Sequence, residues 1–217
     1  MSWLHQTGGY HLLCNRDEKR TRGIAHPPRV FEGAGVKYLA PTDADFGGTW
    51  IAVNEHGISL CLLNGSSRPA QRSRGLLIPE LIWIRSIDDC VFLLRHSDLS
   101  PFAPFVLLML EPGGPATVGI WDGAQLAVDL DARAPLTSSS YDPDGVRRER
   151  LLEFARLKPV DPASLYRFHA SHTGSSGAHA PCMHRSDAET VSFSEVIVRN
   201  GEIRFHYLPT APCARAA

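Results

Sequence analysis

Asn15, Arg16, Asp17 and Glu18 stand in an unbroken row directly after the apolar stretch that ends at Leu13-Cys14. A carboxamide, a guanidinium and two carboxylates can together orient a nucleophile, move a proton or grip an anionic substrate group. Arg16 has the fork that bidentate recognition of a carboxylate or phosphate uses. Charged clusters at strand ends are candidate sites, although an ion pair of Arg16 with Asp17 or Glu18 would use the same residues structurally. Gly47-Gly48-Thr49-Trp50 and Leu62-Leu63-Asn64-Gly65 follow downstream. The paired glycines permit close backbone approach. The Trp50 indole either lines a pocket wall or fills the core.

Other reactive side chains read differently. Cys14 lies inside an apolar strand and reads as a small buried hydrophobe. His169, His172, His179 and His184 crowd around Cys182, and His169-x-x-His172 would place two imidazoles on one helix face. Metal or haem ligation there is conceivable, yet the spacing matches no standard zinc pattern, so the segment reads as a His-rich loop and no metal is assigned. His5 and His11 read as surface residues of the first hairpin. The five cysteines are scattered without a CxxC pair, which argues against a disulfide framework and a structural zinc site.

The elements that must position these groups follow from periodicity and turn chemistry. Residues 3–6 and 10–14 read as strands joined at Thr7-Gly8-Gly9, and residues 15–28 as a polar connection broken by Pro27-Pro28. A strand is expected over 36–40, and a hairpin over 49–53 and 58–63. Ser73 is placed as the cap of a helix running through Ile84, and Ser86 or Asp88 starts a second helix bearing Val91, Phe92, Leu93 and Leu94. Strands are expected at 105–110, 117–121, 125–130 and 136–139. An amphipathic helix follows over 142–158, and Asp161-Pro162 opens another with Asp as cap and Pro at the first position. Residues 171–180 form a loop by composition. The strands 190–199 and 202–208 meet across Asn200-Gly201, the strongest turn dipeptide in the chain. The tail from about 209 is expected to be loose. The order strands, helices, strands, helices, strands fits one α+β domain over 1–217. Its two antiparallel sheets are stacked, with helices outside each.

The charge balance is 22 basic against 23 acidic residues, so no basic face marks nucleic acid as a partner. No apolar run reaches the length of a membrane span, and no basic-then-apolar leader opens the chain, so a cytoplasmic location is expected. A small-molecule substrate or ligand is the expected partner, no cofactor is implied, and the sequence specifies no oligomeric state.

The segment Gly9-Tyr10 to Glu18 resembles the opening of the NRDE-motif proteins, the transport and Golgi organization protein 2 family. Phe46-Gly47-Gly48-Thr49-Trp50 and Ser73-Arg74-Gly75 resemble its next blocks. Leu136-Thr137-Ser138-Ser139-Ser140 and the stretch 182–192, Cys182-Met183-His184-Arg185 onward, resemble the C-terminal blocks of bacterial members. The resemblance implies an N-terminal-nucleophile-hydrolase-like fold, the four-layer αββα sandwich that the element order also fits. It implies hydrolysis of a C–N amide-type bond by the first residue of the mature chain, whose own α-amino group serves as base. Asn64 then matches an oxyanion donor. Ser138 falls where relatives usually place an asparagine. Asn15 and Glu18, or Arg16 and Asp17, would lie near the start of strand one. Trp50 and Arg185 are the expected substrate-binding residues.

Relatives usually begin Met-Cys-Thr-Val, whereas this chain opens Met1-Ser2-Trp3, so the family cysteine has no counterpart here. Ser2 would become N-terminal on removal of Met1, but it aligns about three residues late, roughly 10 Å along a strand and on the opposite face. The resemblance therefore implies a start ahead of Met1, which would stand where relatives carry valine. It also implies an alternative: eukaryotic members are linked to haem and lipid handling, which would make this a non-enzymatic carrier.

Overall fold

In the computed structural model, which describes residues 1–174 and 177–215, the chain runs β1 (Ser2–Gln6), β2 (Gly9–Lys19), β3 (His26–Gly33), β4 (Val36–Thr42), β5 (Ile51–Asn54) and β6 (Ser59–Asn64). Helices α1 (Leu77–Leu81) and α2 (Ile87–His96) follow, then β7 (Phe105–Leu110), β8 (Thr117–Trp121) and β9 (Leu126–Asp129). Helices α3 (Pro143–Phe154) and α4 (Pro162–His169) precede the last strands, β10 (Ala188–Arg199) and β11 (Glu202–Leu208). All strand pairs are antiparallel. One sheet is ordered β1-β2-β10-β11; the other keeps β3 to β9 in chain order.

Strand alternation sorts the apolar residues into three cores, and these define four layers. Leu60, Leu62, Leu107 and Met109 pack with Ile78, Cys90 and Leu94 of α1 and α2. Cys61, Leu108 and Leu110, on the opposite face of the same strands, meet Tyr10, Leu12, Cys14, Val196 and Val198 between the sheets. Leu13 and Phe193 point away from that space and pack on Leu165 of α4. The order is thus helices, sheet, sheet, helices, as the element order predicts.

Local chemistry fixes several boundaries. Asn200 and Gly201 have φ of 50° and 83°, the left-handed pair that a tight β10–β11 hairpin needs. Asp161 accepts from the Ser164 amide while the Ser164 hydroxyl caps back, with Pro162 in the first turn. Asp142 caps α3 through the Gly145 amide, and Ser86 caps α2 through that of Asp89.

Five expectations change. β2 does not stop at Cys14, because Ala188 to Ser192 of β10 give a pairing edge to residues 16–19. The polar connection contains β3, an edge strand whose register shifts between His26 and Arg29, where Pro27 and Pro28 cost no ladder bond. Residues 136–139 form no strand; there the Ser139 hydroxyl accepts from the Tyr141 and Asp142 amides ahead of α3. Ser73 makes no side-chain cap, and a 3-10 turn, Arg74–Leu76, leads into a short α1. Beyond Pro209 the chain forms a 3-10 turn, Pro212–Arg215, with Ala211 buried and the Tyr166 hydroxyl donating to the Pro212 carbonyl at 2.9 Å. Among the described residues no helix is long and apolar enough to cross a membrane.

Candidate functional site

Because Asn15 to Glu18 belong to a strand, their side chains alternate, and the row divides between two faces of β2. Asn15 and Asp17 share the face of Leu13 and turn toward α3 and α4. Arg16 and Glu18 share the face of Cys14 and turn toward the space between the sheets. The residues therefore do not converge on one point at a strand end.

On the helix side, the Asn15 amide nitrogen donates to the carbonyls of His169 at 2.9 Å and Pro181 at 2.8 Å. Its oxygen is left to face His169 Nδ1 at 3.1 Å. That assignment makes Nδ1 the protonated nitrogen and leaves Nε2 to accept the Ser2 hydroxyl at 2.9 Å. Ser2 and His169 are both buried. Burial, followed by the Met1 amine and Arg150, pushes the His169 pKa well down, so the ring is neutral. A hydroxyl, an imidazole base and an orienting amide are thus in line, the arrangement of an activated nucleophile, although neither Ser2 nor its partner is open to solvent.

Alongside lies the start of β1. The Met1 amine donates to the Leu136 carbonyl at 2.7 Å. Burial lowers its pKa, with Arg150 adding to the shift against the opposing influence of Cys14, Cys61 and Asp17. Arg150, reaching in from α3, donates to the His179 and Ala180 carbonyls and the Thr137 hydroxyl, and lies 3.9 Å from Asp17. Asp17 also accepts from Thr190 at 2.6 Å. Cys14 is buried in the inter-sheet core beside Cys61, whose hydrogen bond holds the Cys14 thiol below its ordinary pKa.

On the sheet side, Arg16 pairs with Asp43 at 2.5 Å and Glu18 at 3.5 Å, and stacks 4.5 Å over the Trp50 ring. Arg22 shares Asp43 at 2.6 Å and reaches Asp45 at 3.2 Å. Burial alone would raise Asp43, but the Phe46 amide and the two guanidiniums outweigh it and hold the carboxyl low. Arg16, Glu18 and Arg22 border a cavity of about 330 Å³ whose other walls include Ile24, His184 and Tyr207.

The remaining expected site residues lie apart. Asn64 is exposed at the end of β6, and alternation puts it on the face of Leu60 and Leu62, away from the inter-sheet space. Ser138 is half-buried in the coil one residue beyond Thr137, on the Arg150 side. Trp50 is buried in the inter-sheet core under Arg16. Arg185 forms a two-pronged pair with Asp187 and stacks 4.7 Å over Tyr141. Asp43 and Arg150 carry no local signal of their roles, and His169 stands out in the sequence only as a metal candidate.

Two facing antiparallel sheets between helix layers are the N-terminal-nucleophile-hydrolase-like fold, and solved structures bear this out. Penicillin V acylase from Agrobacterium tumefaciens superposes with a TM-score of 0.55 at 11% identity, covering 90% of this chain and 79% of that one. The Caenorhabditis elegans N-acylethanolamine-hydrolyzing acid amidase ortholog gives 0.58 at 12% identity, with 90% and 92% covered. A mutant of the Clostridium perfringens conjugated bile acid hydrolase gives 0.52 at 13%, with 96% and 91% covered. The family model for Transport and Golgi organisation 2 matches residues 3–122, and the chain belongs to that family. A search of curated proteins found no match to this chain.

Proposed function

We propose that the protein hydrolyses a C–N amide-type bond at the N-terminal end of β1. The observation that carries this reading is the Ser2–His169–Asn15 hydrogen-bond line, adjoining a buried amine in a fold shared with an acylase, an amidase and a bile acid hydrolase. In this reading the Ser2 hydroxyl attacks the carbonyl and passes its proton to His169 Nε2, while Asn15 holds the ring. The proton then goes to the leaving amine, and water releases the acyl group from Ser2. Asp17 and Arg150 hold the strand end, and Ser138, in the coil next to Thr137, is kept as the candidate oxyanion donor. Arg16 and Glu18, on the opposite face of β2, stand outside this line, and Asn64 has no part.

Acylation by an electrophilic amide or lactone probe, read by intact mass and peptide mapping, tests this. Labelling of the first residues of β1, lost in Ser2→Ala, supports the proposal; an unlabelled β1 overturns it. Intact mass of the protein from its native host identifies the residue that carries the free amine. A second reading, a carrier of haem or lipid, draws on the cavity beside Arg16, which is lined by Ile24, Tyr207 and Ala211 as well as by charge. A haem Soret shift or a co-purifying lipid, without acylation, would favour it.

A further inference from the structure

Four potential metal ligands from three separate segments meet at the end of the molecule where α4 leads into β10. His172 follows α4, Cys182 and His184 precede β10, and Cys213 lies in the terminal 3-10 turn. One donor atom from each lies within 4.8 Å of all the others. His184 Nε2 is 3.6 Å from Cys182 Sγ and 3.4 Å from Cys213 Sγ. Zinc–sulfur bonds of about 2.3 Å and zinc–nitrogen bonds of about 2.0 Å at tetrahedral angles place neighbouring donors roughly 3.3–3.8 Å apart. The sulfur–nitrogen separations already match that spacing.

We propose that His172, Cys182, His184 and Cys213 bind one zinc ion in a closed, tetrahedral structural site. Two thiolates and two imidazoles without a carboxylate select a borderline-soft ion over magnesium or calcium. Four protein ligands leave no open position, so the site is structural.

The backbone holds the donors in place by bonds that need no metal. The Cys182 amide donates to the Ser171 carbonyl at 2.9 Å, which sets residues 172 and 182 side by side. The Tyr166 hydroxyl fixes the terminal turn through Pro212, next to Cys213. A carboxylate stands behind one ligand: Glu189 lies 3.9 Å from His184 Nδ1 and is itself paired with Arg20 at 2.8 Å. Glu189 thus places a carboxylate on the Nδ1 side of His184, outside hydrogen-bond distance, while Nε2 faces the two sulfurs. His172 and His184 are exposed and Cys182 is buried, so an ion can enter from solvent and end against a dry thiol. Only Cys182-x-His184 is local in sequence. The other ligands lie 10 residues before Cys182 and 31 after it (182 − 172 and 213 − 182), outside any recognised spacing.

The test uses the full chain, purified with reductant, stripped by chelator and dialysed against zinc or cobalt(II). The expected result is one equivalent of retained zinc, and with cobalt a thiolate charge-transfer band together with the d–d intensity of a tetrahedral centre. Cys213→Ser, at a half-buried position, and His172→Ala each lose stoichiometric zinc while keeping the wild-type circular dichroism spectrum. Either of two results overturns the proposal: no zinc retained above the level of Cys213→Ser, or a Cys182–Cys213 disulfide that forms in the presence of zinc. The site stands independently of the hydrolase reading, because its readout is metal content and spectrum.

Discussion

The two faces of β2 hold neighbouring residues in opposite ways. Toward α4, Asn15 satisfies carbonyls and a neutral imidazole with nothing charged in the line to Ser2. Toward the other sheet, Arg16 belongs to a cluster of two guanidiniums and three carboxylates that borders a cavity. The dry side has one partner for each group, so each loss leaves something buried and unsatisfied. The ionic side is redundant, because Asp43 keeps Arg22 and two backbone amides when Arg16 goes. A row of four polar residues thus has one half built for a fixed geometry and one half for tolerance.

The sharpest way to break that contrast is Asn15→Ala. It strips the partners of two carbonyls and of His169 Nδ1, and is expected to cost about 2–4 kcal/mol of stability. The urea midpoint should fall with little change in slope; a loss below about 1 kcal/mol would remove the contrast.

Acid offers a second route. His169 has a depressed pKa when folded and titrates near 6.5 when unfolded. Below that pH the unfolded chain binds the extra proton, so stability is full above about 6.5 and declines as pH falls, by up to about 1.4 kcal/mol per pH unit. The Met1 amine, also depressed, acts in the same direction from about pH 8 downward. Denaturation midpoints from pH 8 to 5 should show this slope, and His169→Gln should flatten it between 6.5 and 5.

Arg16→Met is expected to cost less, about 1–2 kcal/mol, because Asp43 stays paired. A loss as large as that of Asn15→Ala would show that the ionic side is not redundant. Arg185→Ala, which breaks a pair that is half-open to solvent, should shift stability by no more than about 0.5 kcal/mol in the same assay.

The sequence exposes whatever depends on neighbours in the chain. Asp161-Pro162, Ser86, Asp142 and Asn200-Gly201 mark helix starts and a hairpin because caps and tight turns are short-range chemistry. β3 and the outer half of β2 are hidden because their residues become strand only by pairing with partners far along the chain or on an edge. The same limit governs the site. Asn15, Arg16, Asp17 and Glu18 are conspicuous as residue types, but their separation onto two faces follows from β10 extending β2 past Cys14. Asp43, Arg150 and Cys213 acquire their neighbours only in three dimensions. The stretch 136–139 reads as a strand by apolar and hydroxyl content, yet its hydroxyls are used on the chain leading into α3.

The two sheets also differ in how far the chain must travel to complete them. Each strand of the larger sheet lies beside its predecessor, whereas β2 waits for β10, with Leu13 meeting Glu195 across almost the whole chain. Closing so long a loop carries a larger entropic cost than zipping adjacent hairpins. Assembly should therefore begin in the larger sheet and finish with the chain's two ends, so that Ser2, His169 and Asn15 come into register last. Pulse-labelled hydrogen exchange would read this as early protection of β6 and β7 and late protection of β2 and β10; the reverse order would contradict it.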